Sequence, residues 1–389
     1  MSGDVDGGVV RGELKEKDIP CLGHLRRAFE LLEPPHEVGC ARDTAGNRTL
    51  HFDQYRKPVL LYAWNPLIGS IRDLRQVVGL ANVAKATGVG RVSLGSFSEA
   101  PRLFDPAMPR PVAAELAAGL EPGKADPRLA EFKRALTPVD GTVLPALAHL
   151  ARRAIDGQTR HNTARDGRAM HGWRLHAQLD LATFHPRRLL RTGARNIDGR
   201  REARVLLGNL EPDRCHVADG AFYDRKPFDA VTDIGSGFVI RVGENAVHEQ
   251  PSHRPITPEA KAAGVTFDAV VNLPGAAHPV RRIELAVEPH PRRSRTPRGG
   301  DGKRARVAER IVLTTNLPDP PAELVAPIYR YRYTVELFFR VFKQLLGMRH
   351  LLSQRGEGID IRIYATPIVG RGEACPLRVD PADHRPAAR

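Results

Sequence analysis

No run of apolar residues in this 389-residue sequence approaches the ~20 needed to span a membrane. The N-terminus is polar and acidic where a secretory signal would be basic and then apolar, so none is expected. Cysteine is scarce. Cys21, Cys40, Cys215 and Cys375 are scattered with no Cys-x-x-Cys pair, which argues against a disulfide framework or a zinc ribbon and fits a reduced cytosolic setting. No His/Cys cluster has zinc-finger spacing, and no Gly-x-x-x-x-Gly-Lys-Ser/Thr loop is present to cradle nucleotide phosphates. Internal repeats are also missing.

Acidic residues are in deficit. The chain has 59 Lys plus Arg against 45 Asp plus Glu, a formal charge of +14 and a pI near 10. Such an excess is an electrostatic footprint for a polyanion. It is concentrated at Arg292, Arg293, Arg295, Arg298, Lys303, Arg304, Arg306 and Arg310, a basic loop within 291–310.

The length allows two or three domains. Residues 1–50 form a mixed N-terminal segment with one amphipathic stretch, His24–Leu32. From 51 to 130 the pattern is helical. Leu74, Val77, Val78, Val83 and Ala84 recur at helical spacing, and Gly88-Val-Gly90 breaks the run. Ser96 and Glu99 have capping-box spacing, although Pro101 fits a cap at Ser98 better. Helix, glycine turn and Ser-capped helix outline a helix-turn-helix, or equally any helical hairpin. Beyond 131 the texture becomes α/β. Strands are expected at Leu136–Leu144, Trp173–Asp180, Arg188–Arg191 and from Cys215, with a helix over Arg200–Leu210. Phe238–Val242, Val265–Leu273, Arg282–Val287 and Arg310–Asn316 then read as strands of a β-rich insertion at about 235–318. Asp319 before two prolines reads as the cap of the helical region that follows, and Gly347 as its close.

Chemistry gathers at three carboxylates. Tyr329, Arg332, Glu336, Arg340 and Lys343 fall within about 80° of one helical face, opposite Val335, Phe338, Phe342, Leu345 and Leu346. A carboxylate there can hold a divalent metal, and its cationic neighbours can hold phosphates. The plainer reading is Arg332–Glu336–Arg340 as intrahelical salt bridges. Asp140 and Asp219 each end a short apolar strand directly before glycine, at a sheet rim a ligand can approach closely. The plainer reading of any one of them is an Asp-Gly turn, which suits Asp198 and Asp301 better. His216 reads as a strand residue rather than a ligand.

In these residues the chain resembles the DDE transposases of bacterial insertion sequences, in the insertion-sequence-four branch with its Y-(2)-R-(3)-E-(6)-K signature. Tyr329, Arg332, Glu336 and Lys343 match its four positions; Asp140-Gly-Thr142 and Val217–Tyr223 resemble its two aspartate motifs. The likeness runs from about Phe52 to Tyr364. It implies an RNase H-like mixed sheet over 131–364, with a β-rich insertion, preceded by a helical DNA-end-binding domain. It further implies that Asp140, Asp219 and Glu336 are catalytic and coordinate two Mg²⁺ (or Mn²⁺) ions, and that Tyr329, Arg332 and Lys343 bind DNA phosphates. Partners would be double-stranded DNA, at transposon ends and target, and a second copy in a synaptic homodimer. The reaction would cut terminal inverted repeats and join 3′-hydroxyl ends to target DNA, in the cytoplasm on nucleoid DNA.

The sequence departs from the family where Tyr333 replaces a common Trp, and where Gly-Ala-Phe-Tyr follows Asp219. Residues 365–389 form an atypical tail, proline-rich, polar and aperiodic, that resembles readout of a shifted frame. The alternative expectation is therefore a catalytically inactive, C-terminally truncated DNA-binding remnant of a decayed element.

Overall fold

The structure is a computed structural model that describes Lys15 and residues 22–44, 46, 50–65, 67–123, 126–145, 172–193, 210–222, 225–244, 246–287, 309–344 and 356–369. The expected helix over Arg200–Leu210, most of the basic loop 291–310, Gly347 and the tail beyond Val369 lie outside the described residues. The chain divides into two compact units, residues 1–118 with 342–375, and residues 119–341 with 376–389.

The first unit is helical: α1 (Leu22–Leu32), α2 (Phe52–Trp64), α3 (Ile71–Val78), α4 (Ala81–Thr87), α5 (Leu94–Leu103), α6 (Pro109–Ala118) and, from the far end of the chain, α11 (Gly356–Val369). Leu25, Ala28, Phe29 and Leu32 recur at three- and four-residue steps on α1, and all four are buried. Leu74, Val77, Val78 and Val83 are buried as their periodicity predicts, and Gly88 closes α4 with a left-handed φ of 69°. Ile361, Ala365 and Ile368 of α11 join this core. Two arginines are buried with them. Arg56 donates to the carbonyls of Asp105 (2.8 Å) and Ile361 (3.3 Å), and Arg362 lies 4.0 Å over the Tyr62 ring. Burial lowers the pKa of Arg56 to about 9 and that of Arg362 to about 10.

The cap of α5 is Ser93, whose Oγ accepts from Ser96 N–H at 3.0 Å; neither Ser96 nor Ser98 caps it. Pro101 falls in the last turns of the helix, where the missing N–H costs only one intrahelical bond.

The second unit is built on one nine-stranded mixed sheet. Its strands are β1 (Ala135–Pro145), β2 (Gly172–Leu179), β3 (Pro186–Gly193), β4 (Arg214–Ala218), β5 (Gly237–Val242), β6 (Glu249–His253), β7 (Val265–Asn272), β8 (Val280–Val287) and β9 (Glu309–Thr315), in the order β3-β2-β1-β4-β5-β9-β8-β7-β6. β1, β4 and β5 are parallel and all other pairs antiparallel. This is an RNase H-like arrangement, and the strands after β5 continue its sheet. β6 has no apolar run to announce it and is exposed along its whole length.

The parallel strands are apolar on both faces, as strands covered on both sides must be. Leu136, Cys215, Val217 and Val239 face one core together with Val325 and Ile328 of α9 (Ala322–Arg330). Val139, Ala218, Phe238 and Ile240 face another, with Phe228 and Val231 of α7 (Arg225–Asp233). A short α8 (Pro258–Ala262) precedes β7, and α10 (Tyr333–Gln344) follows α9. Asp319 does not cap α9, whose N-cap is Pro321. Arg281 donates to the carbonyls of Pro318 (3.4 Å) and Pro320 (2.5 Å), which fastens the bent proline segment before the helix.

Candidate active site

The two aspartates lie just past the end of the β1–β4 pairing, and Asp140 feels the charge of Asp219. Ala135 pairs with Arg214 and Pro138 with Val217, a constant offset of 79 residues, and the same offset separates Asp140 from Asp219. Pro138 also marks where β1 leaves β4, since from Val139 onward it pairs with β2. The β4–β5 offset of 22 residues, carried one step past Ala218↔Ile240, sets Asp219 level with Arg241. Because side chains alternate, Asp140, Asp219 and Arg241 share the face of Leu136, Val217 and Val239, the face that α9 covers. Where the apolar rungs end, a charged rung begins.

Each aspartate is fixed by its own turn. Asp140 Oδ1 accepts from Gly141 N–H at 2.7 Å and Asp219 Oδ1 from Ala221 N–H at 2.9 Å. Both glycines are closely approached: a Cβ on Gly141 would lie 2.9 Å from Arg174 Nε, and one on Gly220 would lie 3.2 Å from the Arg241 carbonyl.

The signature residues arrive from α9 and α10, and here the structure corrects the expectation of one continuous helix. Tyr329 lies in α9, and a turn at Tyr331–Arg332 separates it from α10. Four amides there, those of Tyr331, Arg332, Thr334 and Val335, each donate three residues back, which tightens the backbone. Tyr331 is drawn aside by a buried hydrogen bond from its hydroxyl to Asp126. Burial and Asp126 push the Tyr331 hydroxyl up to about 12. Tyr329 nonetheless stays in the electrostatic reach of Arg332, Arg241 and Asp219, with burial raising its pKa.

Arg332 binds both flanking carboxylates, Asp140 Oδ2 at 3.2 Å and Glu336 Oε1 one turn along α10. Burial opposes its charge, and the bond to Glu336 with the fields of Tyr329, Glu336 and Asp140 outweighs that, so its pKa ends above the ordinary value. Arg340 instead donates to Tyr333 Oη at 3.3 Å. Lys343 follows Glu336 by two turns on α10, and Val335, Phe338 and Phe342 form the buried face opposite.

Like charge is crowded at the strand ends. Burial foremost, then the charges of Asp219 and Glu336, raise Asp140 to about 6 against the pull of Gly141 N–H and Arg332. The donors are all carboxylate oxygens, the type that hard divalent cations take, and a cation would relieve their repulsion. The residues therefore fit such an ion in kind. In distance they stand apart: among the described residues, His36, Glu37 and His51 alone bring three ligand atoms within 4.8 Å of one another. That group was not expected, because its spacing matches no zinc-finger pattern. Arg241 was missed as well, although a lone charge inside the apolar strand Phe238–Val242 is a readable signal. His216 is confirmed as a strand residue, buried in β4 and lowered to about 4 by burial and Arg214.

The strand order, with aspartates just past the ends of adjacent parallel strands, defines an RNase H-like α/β domain. A family model described as transposase DDE domain matches residues 131–368. The chain belongs to that family. The Sinorhizobium fredii (strain NBRC 101917 / NGR234) protein y4zB, named as a candidate transposase, is 26% identical over 239 residues, 55% of this chain and 63% of that protein. Among solved structures, the piggyBac transposase synaptic complex with hairpin DNA aligns with a TM-score of 0.37 and 10% identity, over 90% of this chain and 80% of that one. Among the described residues no helix is long and apolar enough to cross a membrane.

Proposed function

We propose that the chain is a DNA transposase of the insertion-sequence-four branch, which cuts the ends of its element and joins 3′-hydroxyls to target DNA. The observation that carries this is that Asp140, just past the end of the β1–β4 pairing, lies in the field of Asp219 and Glu336, with Glu336 tied to Asp140 through Arg332. Asp140, Asp219 and Glu336 would hold two divalent cations, Mg²⁺ or Mn²⁺. Bound there, the cations would supply Lewis-acid activation of the attacking oxygen and stabilisation of the leaving one. Arg332 holds Asp140 and Glu336, and with cations bound at those carboxylates its guanidinium would serve as a donor to backbone phosphate. Tyr329, Arg241 and Lys343 would be further donors to that phosphate. The helical residues 51–130 would bind the element's ends, and two copies would bring two ends together.

The test is incubation of the purified chain with Mg²⁺ and a fragment carrying the element's own end, beside Glu336→Gln. Cleavage and strand transfer by the wild type alone support the proposal. Binding with no cleavage by either protein would favour the second reading, a silent DNA-binding remnant, which rests on the proline-rich sequence after Val369.

A further inference from the structure

The turn that carries Arg332 is fastened to the sheet unit at a second point, away from the carboxylates. Nothing local obliges the chain to break there. Tyr329-Arg-Tyr-Arg-Tyr-Thr-Val335 contains no proline or glycine, and none of its residues strongly opposes a helix. Yet Tyr331 ends α9 at φ −65° and ψ −12°, and α10 starts afresh at Tyr333. A contact from far along the chain lies at this break. The Tyr331 hydroxyl donates to Asp126 Oδ2 across 205 residues, and both residues are buried.

Asp126 is itself held rigidly. It caps the single 3₁₀ turn Pro127–Leu129, with Oδ1 accepting from Arg128 N–H at 2.9 Å. Arg128 Nε reaches both oxygens at 3.0 Å, and a terminal nitrogen of the same guanidinium reaches Oδ2 at 2.6 Å. The Arg128 bonds, helped by Tyr331, outweigh burial and hold the carboxyl well below the usual carboxylate range, so it stays an ionised acceptor. Leu129 of the turn and Phe132 beyond it pack against the core that contains Tyr331. The chain then enters β1, which carries Asp140, the acceptor of Arg332 at 3.2 Å. Consecutive residues of one turn are thus tied to two aspartates on one stretch of chain, Tyr331 to Asp126 before β1 and Arg332 to Asp140 within it. A single attachment leaves a turn free to pivot, whereas two fix both its position and its rotation.

We infer that Asp126 and Tyr331 are positioning residues, a clamp on the turn between α9 and α10 that aims Arg332 at Asp140 and Glu336. The inference rests on the proposed function only in taking Arg332, Asp140 and Glu336 as the site. Asp126 acts on them through Tyr331. The Tyr331 ring belongs to the core, so deleting the hydroxyl alone separates the clamp from the packing.

The test is Tyr331→Phe in the full chain, without DNA or divalent cations, beside Asp126→Ala and the double variant. The readout is the set of Arg332 Nη–H resonances in proton–nitrogen NMR, assigned by their loss in Arg332→Ala. Held between two carboxylates, these protons should exchange slowly with water in the wild type. In Tyr331→Phe they should exchange faster by about tenfold or more, with circular dichroism unchanged. The double variant should exchange no faster than the faster single variant, because both substitutions remove the same bond. A lowered Tm with Arg332 exchanging at the wild-type rate is the mark of a merely structural bond, and overturns the inference. Fast-exchanging Arg332 protons in the wild type overturn it too. If Asp126→Ala fails to fold, Tyr331→Phe decides by itself. End cleavage separates this inference from the proposed function. A wild type that cuts nothing counts against the transposase and leaves the resonance test standing. With a wild type that cuts, Tyr331→Phe should lower the cleavage rate about tenfold at unchanged DNA affinity, and an unchanged rate overturns the clamp.

Discussion

Arg332 reaches Asp140 from the start of α10 at 3.2 Å while holding Glu336 one turn further along the same helix. A single guanidinium thus spans the strand carboxylate and the helix carboxylate. It supplies positive charge where two or three negative side chains converge.

Asp140 should titrate well above an ordinary aspartate, near pH 6. A carboxyl whose pKa is raised on folding binds its proton more tightly in the native state. The native state therefore gains stability as pH falls from about 6 toward 4, and loses that gain as pH rises through 6. Asp140→Asn should accordingly stabilise the cation-free protein at pH 7 by about 1–2 kcal/mol, while abolishing cleavage. Urea denaturation of both proteins at pH 4.5 and 7 checks the sign. A variant less stable at pH 7 would refute the reading.

Removing the guanidinium should move the same group. In Arg332→Ala, Asp140 loses the side chain that lowers its pKa and keeps Asp219 and Glu336, which raise it. Its apparent pKa should climb beyond 6, measurable by carbon NMR of the aspartate carboxyls. An unchanged or lower value would mean that Arg332 is not its counter-ion in solution.

Arg241 follows the last paired residue of β5 against β4 and lies in the field of Tyr329. Arg241→Ala should weaken DNA binding similarly on all sequences and reduce the slope of log affinity against log salt by about one. Fluorescence anisotropy at several salt concentrations gives the slope. If it is unaltered, Arg241 touches no phosphate.

Asp268 accepts two hydrogen bonds from Arg281, at 2.8 and 2.6 Å, and both side chains are buried. Asp268→Asn strands a buried guanidinium and should cost about 3–5 kcal/mol in guanidinium-chloride unfolding. The doubly apolar Asp268→Leu/Arg281→Met should recover much of that loss, because the penalty is the unpaired charge rather than the missing pair.

Strand positions were legible where apolar alternation was strong. β1, β2, β5, β7, β8 and β9 fall where Leu136–Leu144, Trp173–Asp180 and the four later runs predict them. β6 was not legible, since an edge strand with every residue exposed has no burial pattern to write into the sequence. The cap of α5 was misplaced by a rival Ser-x-x-Glu, for only the backbone around Ser93 decides which hydroxyl meets the free amides.

By itself the sequence determined the residue types and their local settings: Asp140 and Asp219 ending apolar strands before glycine, Glu336 four residues after Arg332, and a basic excess suited to a polyanion. Local spacing suffices for those, because turns, alternation and i,i+4 pairs act within a few residues. The tertiary structure alone decided that Asp140 comes within the field of Asp219 and Glu336, that Arg241 acts on Tyr329, and that α9 and α10 part at Tyr331–Arg332, where Tyr331 bonds to Asp126. It also gathered His36, Glu37 and His51 across a loop. Strand register and loop closure join residues far apart in the chain, and their energies depend on partners that no local window of sequence contains.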